Sequence, residues 1–335
     1  MKAVEIPQFG IEHLRITEKP DPKPGSGQVV VEVKACSLNY RDYLVVKGSY
    51  NPKLPLPFIP FSDGAGVVVE TGVGVTRVRT GDRVCGIFMQ TWLTGPYEEA
   101  YAKSALGGML QGMGAGRVVL DAEGVVKFPD HLSFEEAATL PCAAVTAWNA
   151  LVAQGHVKSG DTILLQGTGG VSVFALQIAK MHGARAIITS SSDEKLERAR
   201  ALGAHGLINY KSTPDWDKKA KELNGGRGVD QVLEVGGVGT LERSLNAVRG
   251  GGRISYIGTL AGIQGEIKAA WIFHKHLTIQ GIYVGSRAMF EDLIRAMAQH
   301  DVRPVVDRVF FAEDLAEALR TMERGAHFGK IVVRM

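Results

Sequence analysis

A regular alternation of short apolar strands with helices fills the chain from about residue 160 to residue 284. Strands joined through helices lie parallel to one another, and the helices cover both faces of the sheet. Six strands in this pattern predict an open, doubly wound α/β sheet. The predicted strands cover residues 162–166, 186–189, 206–209, 231–235, 253–257 and 279–284.

The first of these strands runs directly into a glycine-rich turn, and a helix follows. Gly167 lets the chain turn tightly, and the missing side chains at Gly169 and Gly170 let a pyrophosphate approach the backbone. The helix that starts near Val171 adds unpaired N–H groups and the positive end of its dipole. Ser172 replaces the last glycine of the usual G-x-G-x-x-G pattern. A turn that binds nothing is the alternative, but the position between strand and helix favours a dinucleotide site.

The end of the second strand carries the residues expected to distinguish NADPH from NADH. A NAD site usually places an acid there, where it binds the ribose hydroxyls. Here Ser190 leaves space for a 2′-phosphate, Lys195 follows closely, and Tyr210 ends the third strand. Asp193 is the rival candidate for a ribose-binding acid, but it is expected in the first turn of the next helix, where the dipole favours it. The pattern therefore favours NADPH.

Residues 1 to about 140 have a different pattern, which predicts a β-rich, barrel-like domain. Alternating or continuous apolar strands are separated by prolines and glycines, at residues 30–35, 64–71 and 83–88. After residue 285 the chain is predicted to form two helices and two strands, over residues 287–300, 305–310, 313–324 and 330–334. These elements are not needed for the six-stranded sheet, so we expect them to return to the first domain.

Composition and charge exclude several classes of protein. The 335 residues include 38 Lys and Arg against 35 Asp and Glu, and the two signs are interspersed, so no nucleic-acid surface is expected. No apolar run approaches the roughly 18 residues that span a bilayer, and the amino terminus lacks the apolar core of a signal peptide. The three cysteines are too few for a disulfide framework, which predicts a reducing, cytoplasmic location.

Several short stretches carry a family resemblance over essentially the full chain. They are residues 39–42 (Asn-Tyr-Arg-Asp), 61–66 (Phe-Ser-Asp-Gly-Ala-Gly), 81–84, 137–141, 167–171, 234–237 and 329–332. On these motifs the chain resembles the medium-chain dehydrogenase/reductase superfamily. The resemblance implies a GroES-like β-barrel catalytic domain, a Rossmann coenzyme domain and a return to the catalytic domain, over residues 1–142, 143–284 and 285–335.

The same resemblance implies further properties of the protein. It assigns Thr146, Gly236 and Lys330 to the nicotinamide cofactor, beside the glycine-rich turn. It also implies a homodimer that pairs the edge strand over residues 279–284 across a two-fold axis. The other expected partner is a small-molecule substrate.

The residues at the family's zinc positions point to its zinc-free, quinone-oxidoreductase-like branch. Zinc alcohol dehydrogenases carry Cys where this chain has Asn39, and His-Glu where it has Ser62 and Asp63. Only Cys142 remains of the three ligands, and a catalytic zinc normally needs three protein ligands. We therefore predict that the protein holds no metal.

Without zinc, hydrogen-bond donors must stabilise the negative charge that hydride transfer places on the substrate oxygen. The region that matches the zinc site offers Asn39 and Ser62, and Tyr50 lies in a segment that resembles the family's Gly-x-Tyr lining of the substrate cleft. Loop packing of Tyr50 and backbone capping by Asn39 are the alternatives. The predicted function is NADPH-dependent reduction of a quinone or an activated carbonyl or alkene. An NAD(P)-dependent alcohol dehydrogenase of small alcohols and a non-catalytic NADPH-binding protein stay open.

Overall fold

The computed structural model describes residues 1–335 and divides into two compact units. The first unit contains Met1–Val145 and Val284–Met335, and the second contains Thr146–Tyr283. The domain boundaries predicted after residues 142 and 284 compare with observed boundaries after residues 145 and 283. No helix combines the length and the apolar character that crossing a membrane requires.

The first unit is built mainly from antiparallel strands around one apolar core. The long strand β3 lies at its centre, because its valines are almost fully buried and it pairs with strands on both sides. The strands that precede the second unit are β1 (Lys2–Glu5), β2 (Arg15–Glu18), β3 (Gln28–Ser37), β4 (Asp63–Thr71), β5 (Arg83–Gly86), β6 (Arg117–Asp121) and β7 (Val125–Lys127). Two helices accompany them, α1 (Tyr40–Val46) and α2 (Phe134–Ala137).

The second unit is a six-stranded parallel sheet with helical connections. Its strands are β8 (Thr162–Leu165), β9 (Arg185–Ser190), β10 (Gly206–Asn209), β11 (Val229–Glu234), β12 (Val248–Tyr256) and β13 (Thr278–Gly281). The helices are α3 (Val145–Trp148, which begins one residue before the unit), α4 (Gly170–Met181), α5 (Asp193–Ala201), α6 (Trp216–Leu223), α7 (Val238–Ala247) and α8 (Ala270–His274). The strand order β10-β9-β8-β11-β12-β13 confirms the predicted doubly wound sheet.

The strand order creates a switch point between β8 and β11. The chain moves outward from β8 to β9 and β10 on one side, and to β11, β12 and β13 on the other. In doubly wound sheets, ligands bind at such a switch point, at the carboxyl ends of the strands. Every residue of β8 and β11 is buried, as expected for central parallel strands.

The carboxyl-terminal tail joins the sheet of the first unit. It forms α9 (Arg287–Gln299), β14 (Val306–Phe311), α10 (Leu315–Glu323) and β15 (Lys330–Arg334). Strand β15 runs antiparallel to β3 with Val332 opposite Ser37, and β14 pairs with its other edge. The second helix starts later than predicted because Ala312–Asp314 first forms a separate 3₁₀ turn.

Candidate active site

The glycine-rich turn between β8 and α4 has the shape of a phosphate cradle. Gly167 has a φ of +71°, a left-handed conformation that glycine adopts without strain. A Cβ atom added to Gly167 or Gly169 would meet no heavy atom within 4 Å, so the space before both residues is open. Gly169 is the N-cap of α4 and provides no side-chain cap for its first turn, which includes Gly170 and Val171. These features fit the pyrophosphate of a dinucleotide.

Two side chains hold this turn in place. The Gly167 N–H donates to Thr189 Oγ1 of β9 at 3.1 Å. The Ser172 hydroxyl donates to the carbonyl of Gln166 at 2.7 Å, and Ser172 is buried. The serine that makes the glycine motif imperfect therefore closes the turn by a hydrogen bond.

A buried carboxylate, Glu234, joins the two loops at the switch point. Its Oε2 accepts a hydrogen bond from Gln166 Nε2 at 2.7 Å, and its Oε1 accepts one from the Gly236 N–H at 2.8 Å. Further donors to the carboxylate are Gly237 N, Thr240 Oγ1 and Ser244 Oγ. Gln166 Oε1 in turn accepts from the Gly236 N–H at 3.2 Å. The N–H of the predicted cofactor residue Gly236 is therefore bonded to Gln166 and Glu234. A ligand could contact Gly236 only through its other backbone atoms.

The roles of Gln166 and Glu234 were not predicted from the sequence. Both residues stand at the ends of strands that are otherwise apolar and buried, which is the signal that could have marked them. A buried acid is stable only when hydrogen bonds satisfy it, so such a residue predicts convergent donors.

The loop after β9 gathers the predicted coenzyme-selectivity residues. Ser190 is buried, and its Oγ accepts from the Ser192 N–H at 3.2 Å, while Ser192 Oγ accepts from the Lys195 N–H at 3.3 Å. Both hydroxyls act as acceptors in these bonds, so their protons remain available to a phosphate oxygen. Asp193 lies in the first turn of α5, as predicted, and its carboxylate accepts from Asn209 Nδ2 at 2.8 Å.

Two other predicted cofactor residues lie in different surroundings. Tyr210 follows β10, is 41% exposed, and donates its N–H to the carbonyl of Ser190 at 3.0 Å, so these two residues are neighbours. Thr146, in α3, is buried. The assignment of both residues to the cofactor stays a prediction.

In the first unit, three chain segments bring polar groups together at the ends of α1, β4 and β15. Lys330 Nζ donates to Asn39 Oδ1 at 2.5 Å and to the carbonyl of Leu38 at 2.7 Å. Asn39 Nδ2 donates to Ser62 Oγ at 3.3 Å, and Ser62 Oγ donates to Asp63 Oδ1 at 2.9 Å. Asn39 is the N-cap of α1 and forms a capping box with Asp42, and its amide oxygen also accepts from Lys330.

Two carboxylates lie fully buried beside this amide. Burial raises the pKa of Asp42 to about 6, and the adjacent Arg41 guanidinium opposes the shift. Burial also raises the pKa of Asp63, against the opposing charge of Lys330. Asp42 accepts from the Asn39 N–H at 2.8 Å, and Asp63 accepts from the Cys142 N–H at 3.2 Å. The carboxylates therefore anchor the backbone around Asn39.

Tyr50 lies in the loop after α1 and is 38% exposed. The Arg41 guanidinium carbon lies 4.9 Å from the centre of the Tyr50 ring and 4.8 Å from that of Phe88. Arg41 Nη1 donates to the carbonyl of Leu106 at 2.9 Å. The guanidinium thus contacts two aromatic rings, an arrangement that stabilises both rings by cation–π attraction. The sequence analysis gave Arg41 no role.

These donors do not suit a catalytic metal ion. The oxygen of Asn39 faces the Lys330 ammonium, which repels a second cation at the same atom. Cys142 is the one thiol among the residues at the family's zinc positions, whereas a catalytic zinc normally needs three protein ligands. Neither unit has a group of three or more His, Cys, Asp or Glu side chains arranged for a metal. The absence of zinc stays a prediction.

Two family models match this chain. Residues 25–130 match the alcohol dehydrogenase GroES-like domain, and residues 170–299 match the zinc-binding dehydrogenase domain. The chain is 44% identical over 333 residues to a zinc-type alcohol dehydrogenase-like protein of Schizosaccharomyces pombe, which covers 97% of this chain and 96% of that protein. It is 29% identical over 335 residues to a quinone oxidoreductase of Pongo abelii, covering 97% and 95% of the two chains.

Solved structures extend the likeness to three dimensions. A NAD-dependent alcohol dehydrogenase is 37% identical to this chain, with a TM-score of 0.92 and complete coverage of both chains. The similarity therefore includes both units.

Proposed function

The chain belongs to the medium-chain dehydrogenase/reductase superfamily, and on that premise we propose that it is a zinc-independent, NADPH-dependent reductase of quinones or activated carbonyls and alkenes. Membership establishes the coarser statement that the protein is an oxidoreductase that uses a nicotinamide cofactor. The substrate class, the preference for NADPH and the independence from zinc are the proposal.

The observation that carries the proposal is the lysine–amide pair in the first unit. The Lys330 ammonium at Asn39 Oδ1 supplies a buried positive charge next to the residue that matches a zinc ligand. Cations and hydrogen-bond donors both stabilise charge that develops on an oxygen during a reaction. An amide backed by an ammonium can therefore serve an acceptor oxygen without a metal.

The cofactor would be held mainly by the turn between β8 and α4. Gly167, Gly169 and the first N–H groups of α4 form a surface that suits a pyrophosphate. A bound reduced nicotinamide would supply the hydride and water the proton, which together would turn a carbonyl into an alcohol, a quinone into a hydroquinone or an activated alkene into its saturated product, and would leave the coenzyme oxidised.

The roles of the three proposed donors differ. Asn39 keeps one amide N–H beyond its bond to Ser62, and we assign this N–H to the acceptor oxygen. Ser62 directs its proton to the carboxylate of Asp63, so it positions Asn39 and is not a donor to the substrate. Tyr50 is 38% exposed, and its ring, which lies against the Arg41 guanidinium, would contact a flat, conjugated acceptor.

The selectivity for NADPH rests on the loop after β9. Asp193, the acid that could bind the ribose of NADH, is engaged by Asn209. Ser190 and Ser192 retain hydroxyl protons for a 2′-phosphate, and Lys195 follows in the first turn of α5. A phosphate there would meet donors and a positive charge.

A steady-state assay tests the proposal. Purified protein is given NADPH or NADH with a panel of quinones, enones, aldehydes and small alcohols. We expect NADPH oxidation with quinones and enones, and a lower rate with NADH. Tyr50→Phe should reduce enone turnover by up to about 10²-fold, with a smaller loss for quinones, which accept hydride readily. Turnover confined to alcohols and NAD⁺ would reject the proposal.

A dehydrogenase of small alcohols is the second candidate. It is favoured by the likeness to the Schizosaccharomyces pombe protein and to the NAD-dependent alcohol dehydrogenase, whose names specify that activity or its class. The alcohol arm of the same panel distinguishes the two candidates, because only the second predicts alcohol-dependent reduction of NAD⁺ or NADP⁺.

A further inference from the structure

Lys330 carries a charge that is buried in the first unit. It is the first residue of β15 and is only 3% exposed. Its Nζ donates to Asn39 Oδ1 at 2.5 Å and to the carbonyl of Leu38 at 2.7 Å. Burying an ammonium is costly unless oxygen acceptors replace its water. The two oxygens therefore hold Lys330 at one place in the fold.

The lysine determines which way the Asn39 amide points. An ammonium group only donates hydrogen bonds, so the atom that faces it must be the amide oxygen. The amide nitrogen then faces Ser62 Oγ at 3.3 Å. Ser62 Oγ accepts that bond and gives its own proton to Asp63 Oδ1 at 2.9 Å. Every hydrogen bond from Lys330 to Asp63 consequently runs in one direction. Burial raises the pKa of Asp63, and the Asn39 amide lies close enough to that carboxyl to oppose the rise, so the two N–H groups of Asn39 face Ser62 and the carboxylate side of the site.

We propose that Lys330 is a positioning residue, which orients the Asn39 amide and polarises its NH₂ group so that one N–H can be drawn to the oxygen of the hydride acceptor. This inference rests on the proposed function. It specifies which group would stabilise the negative charge on the acceptor oxygen in a site without a metal. A positive charge at the amide oxygen draws electron density from the amide nitrogen, and hydrogen bonds in series strengthen one another in a low-dielectric site. The Asn39 N–H therefore becomes a stronger donor than an isolated amide.

This role differs from the cofactor role that the family resemblance implied for Lys330. Its ammonium is engaged by Leu38 and Asn39, both within the first unit, and Lys330 is buried there. A cofactor phosphate would have to draw the ammonium away from both oxygens. Substitution of Lys330 should therefore change turnover and leave cofactor affinity largely intact.

A double-mutant cycle tests the inference. Wild type, Lys330→Met, Asn39→Ala and the double variant are compared for enone and quinone turnover with NADPH, for the NADPH dissociation constant and for the melting temperature. We expect Lys330→Met to lower enone kcat about 10-fold or more and quinone kcat less, with the NADPH dissociation constant within about 2-fold of wild type. Because Lys330 acts through Asn39, the double variant should be no slower than Asn39→Ala.

The partly buried Lys275 provides a control in the second unit. Its Nζ donates to the carbonyls of Leu245, Asn246 and Val248 at the end of α7. Lys275→Met should lower stability without changing the ratio of enone to quinone turnover, because the hydrogen bonds of this lysine go to backbone carbonyl groups at the end of α7. If Lys330→Met does not fold, Lys330→Gln replaces it, since its neutral amide can donate to the same oxygens; enone kcat should then fall less.

The possible outcomes separate the inference from the proposed function. Wild-type protein that reduces no acceptor in the panel would reject the proposed function before any variant is compared. With an active wild type, losses that multiply in the double variant would show that Lys330 acts independently of Asn39. A 10-fold weaker NADPH affinity with unchanged kcat would make Lys330 a cofactor residue. Either of these results overturns the positioning role.

Discussion

The carboxylate of Glu234 provides the sharpest test of how the second unit is organised. Glu234→Gln keeps the shape of the side chain and replaces one oxygen with an NH₂ group. Oε1 accepts three bonds, two of them from the backbone of Gly236 and Gly237, so the amide oxygen will remain there. The new NH₂ group must then face Gln166 Nε2, which lies 2.7 Å from the present oxygen.

The expected destabilisation follows from the two donors that then face each other. Ser244 Oγ, which already accepts from Gln166 Nε2 at 2.8 Å, can rotate its hydroxyl and accept from the new amide as well. Gln166 cannot turn its amide, because its oxygen accepts from Val235 and Gly236, so its N–H toward position 234 loses its acceptor. A buried donor that loses its acceptor costs about 1–3 kcal/mol, and bonds to a charged acceptor lie at the upper end. We expect a loss of about 2–3 kcal/mol in the free energy of unfolding, and faster hydrogen exchange at the Gly236 amide.

The reciprocal exchange of the two side chains should restore stability. In Gln166→Glu with Glu234→Gln, the carboxylate at position 166 accepts from the new amide and from the same two backbone N–H groups. Urea unfolding and amide hydrogen exchange measure the recovery. Glu242→Gln is the control, because this half-exposed glutamate pairs with Lys268 at the surface and should change stability by less than about 0.5 kcal/mol. A stable Glu234→Gln variant, or a swap without recovery, would refute the reasoning.

Four further results are expected. Ser190→Asp should shift preference from NADPH toward NADH, because a carboxylate at the end of β9 repels a 2′-phosphate; equal dissociation constants in the wild type would contradict the assignment. Elemental mass spectrometry should find well below one zinc per chain, whereas stoichiometric, chelator-sensitive zinc would contradict it. The pKa of Asp42 rises from an ordinary 3.8 to about 6 in the folded state, so its contribution to stability is present below pH 3.8 and is lost as the pH rises through 6. Asp42→Asn should remove that decline, which amounts to about 3 kcal/mol at most, and unfolding measured between pH 4 and 8 checks it. Light scattering should find a homodimer, because β13 pairs only with β12 and leaves its outer edge open; a monomer at micromolar concentration would exclude it.

The sequence by itself determined the features that depend on local pattern. Alternating strands and helices implied a doubly wound sheet, and the spacing of Gly167 and Gly169 after a strand implied a phosphate turn. The residue types at positions 39 and 62 pointed away from a zinc site without any coordinates. Each of these properties can be predicted from the sequence, because it depends on a few neighbouring residues: the hydrophobic periodicity, the conformational freedom of glycine or the type of a metal-ligand residue.

Only the tertiary structure decided how the buried polar groups are paired. Lys330 reaches Asn39 across 291 residues, because β15 returns to lie beside β3. Gln166 reaches Glu234 across 68 residues, because the sheet order makes β8 and β11 neighbours. The role of a buried charged group depends on the donor or acceptor that it contacts. Long-range strand pairing determines which donor or acceptor lies beside it. A pattern read along the chain carries no information about those partners.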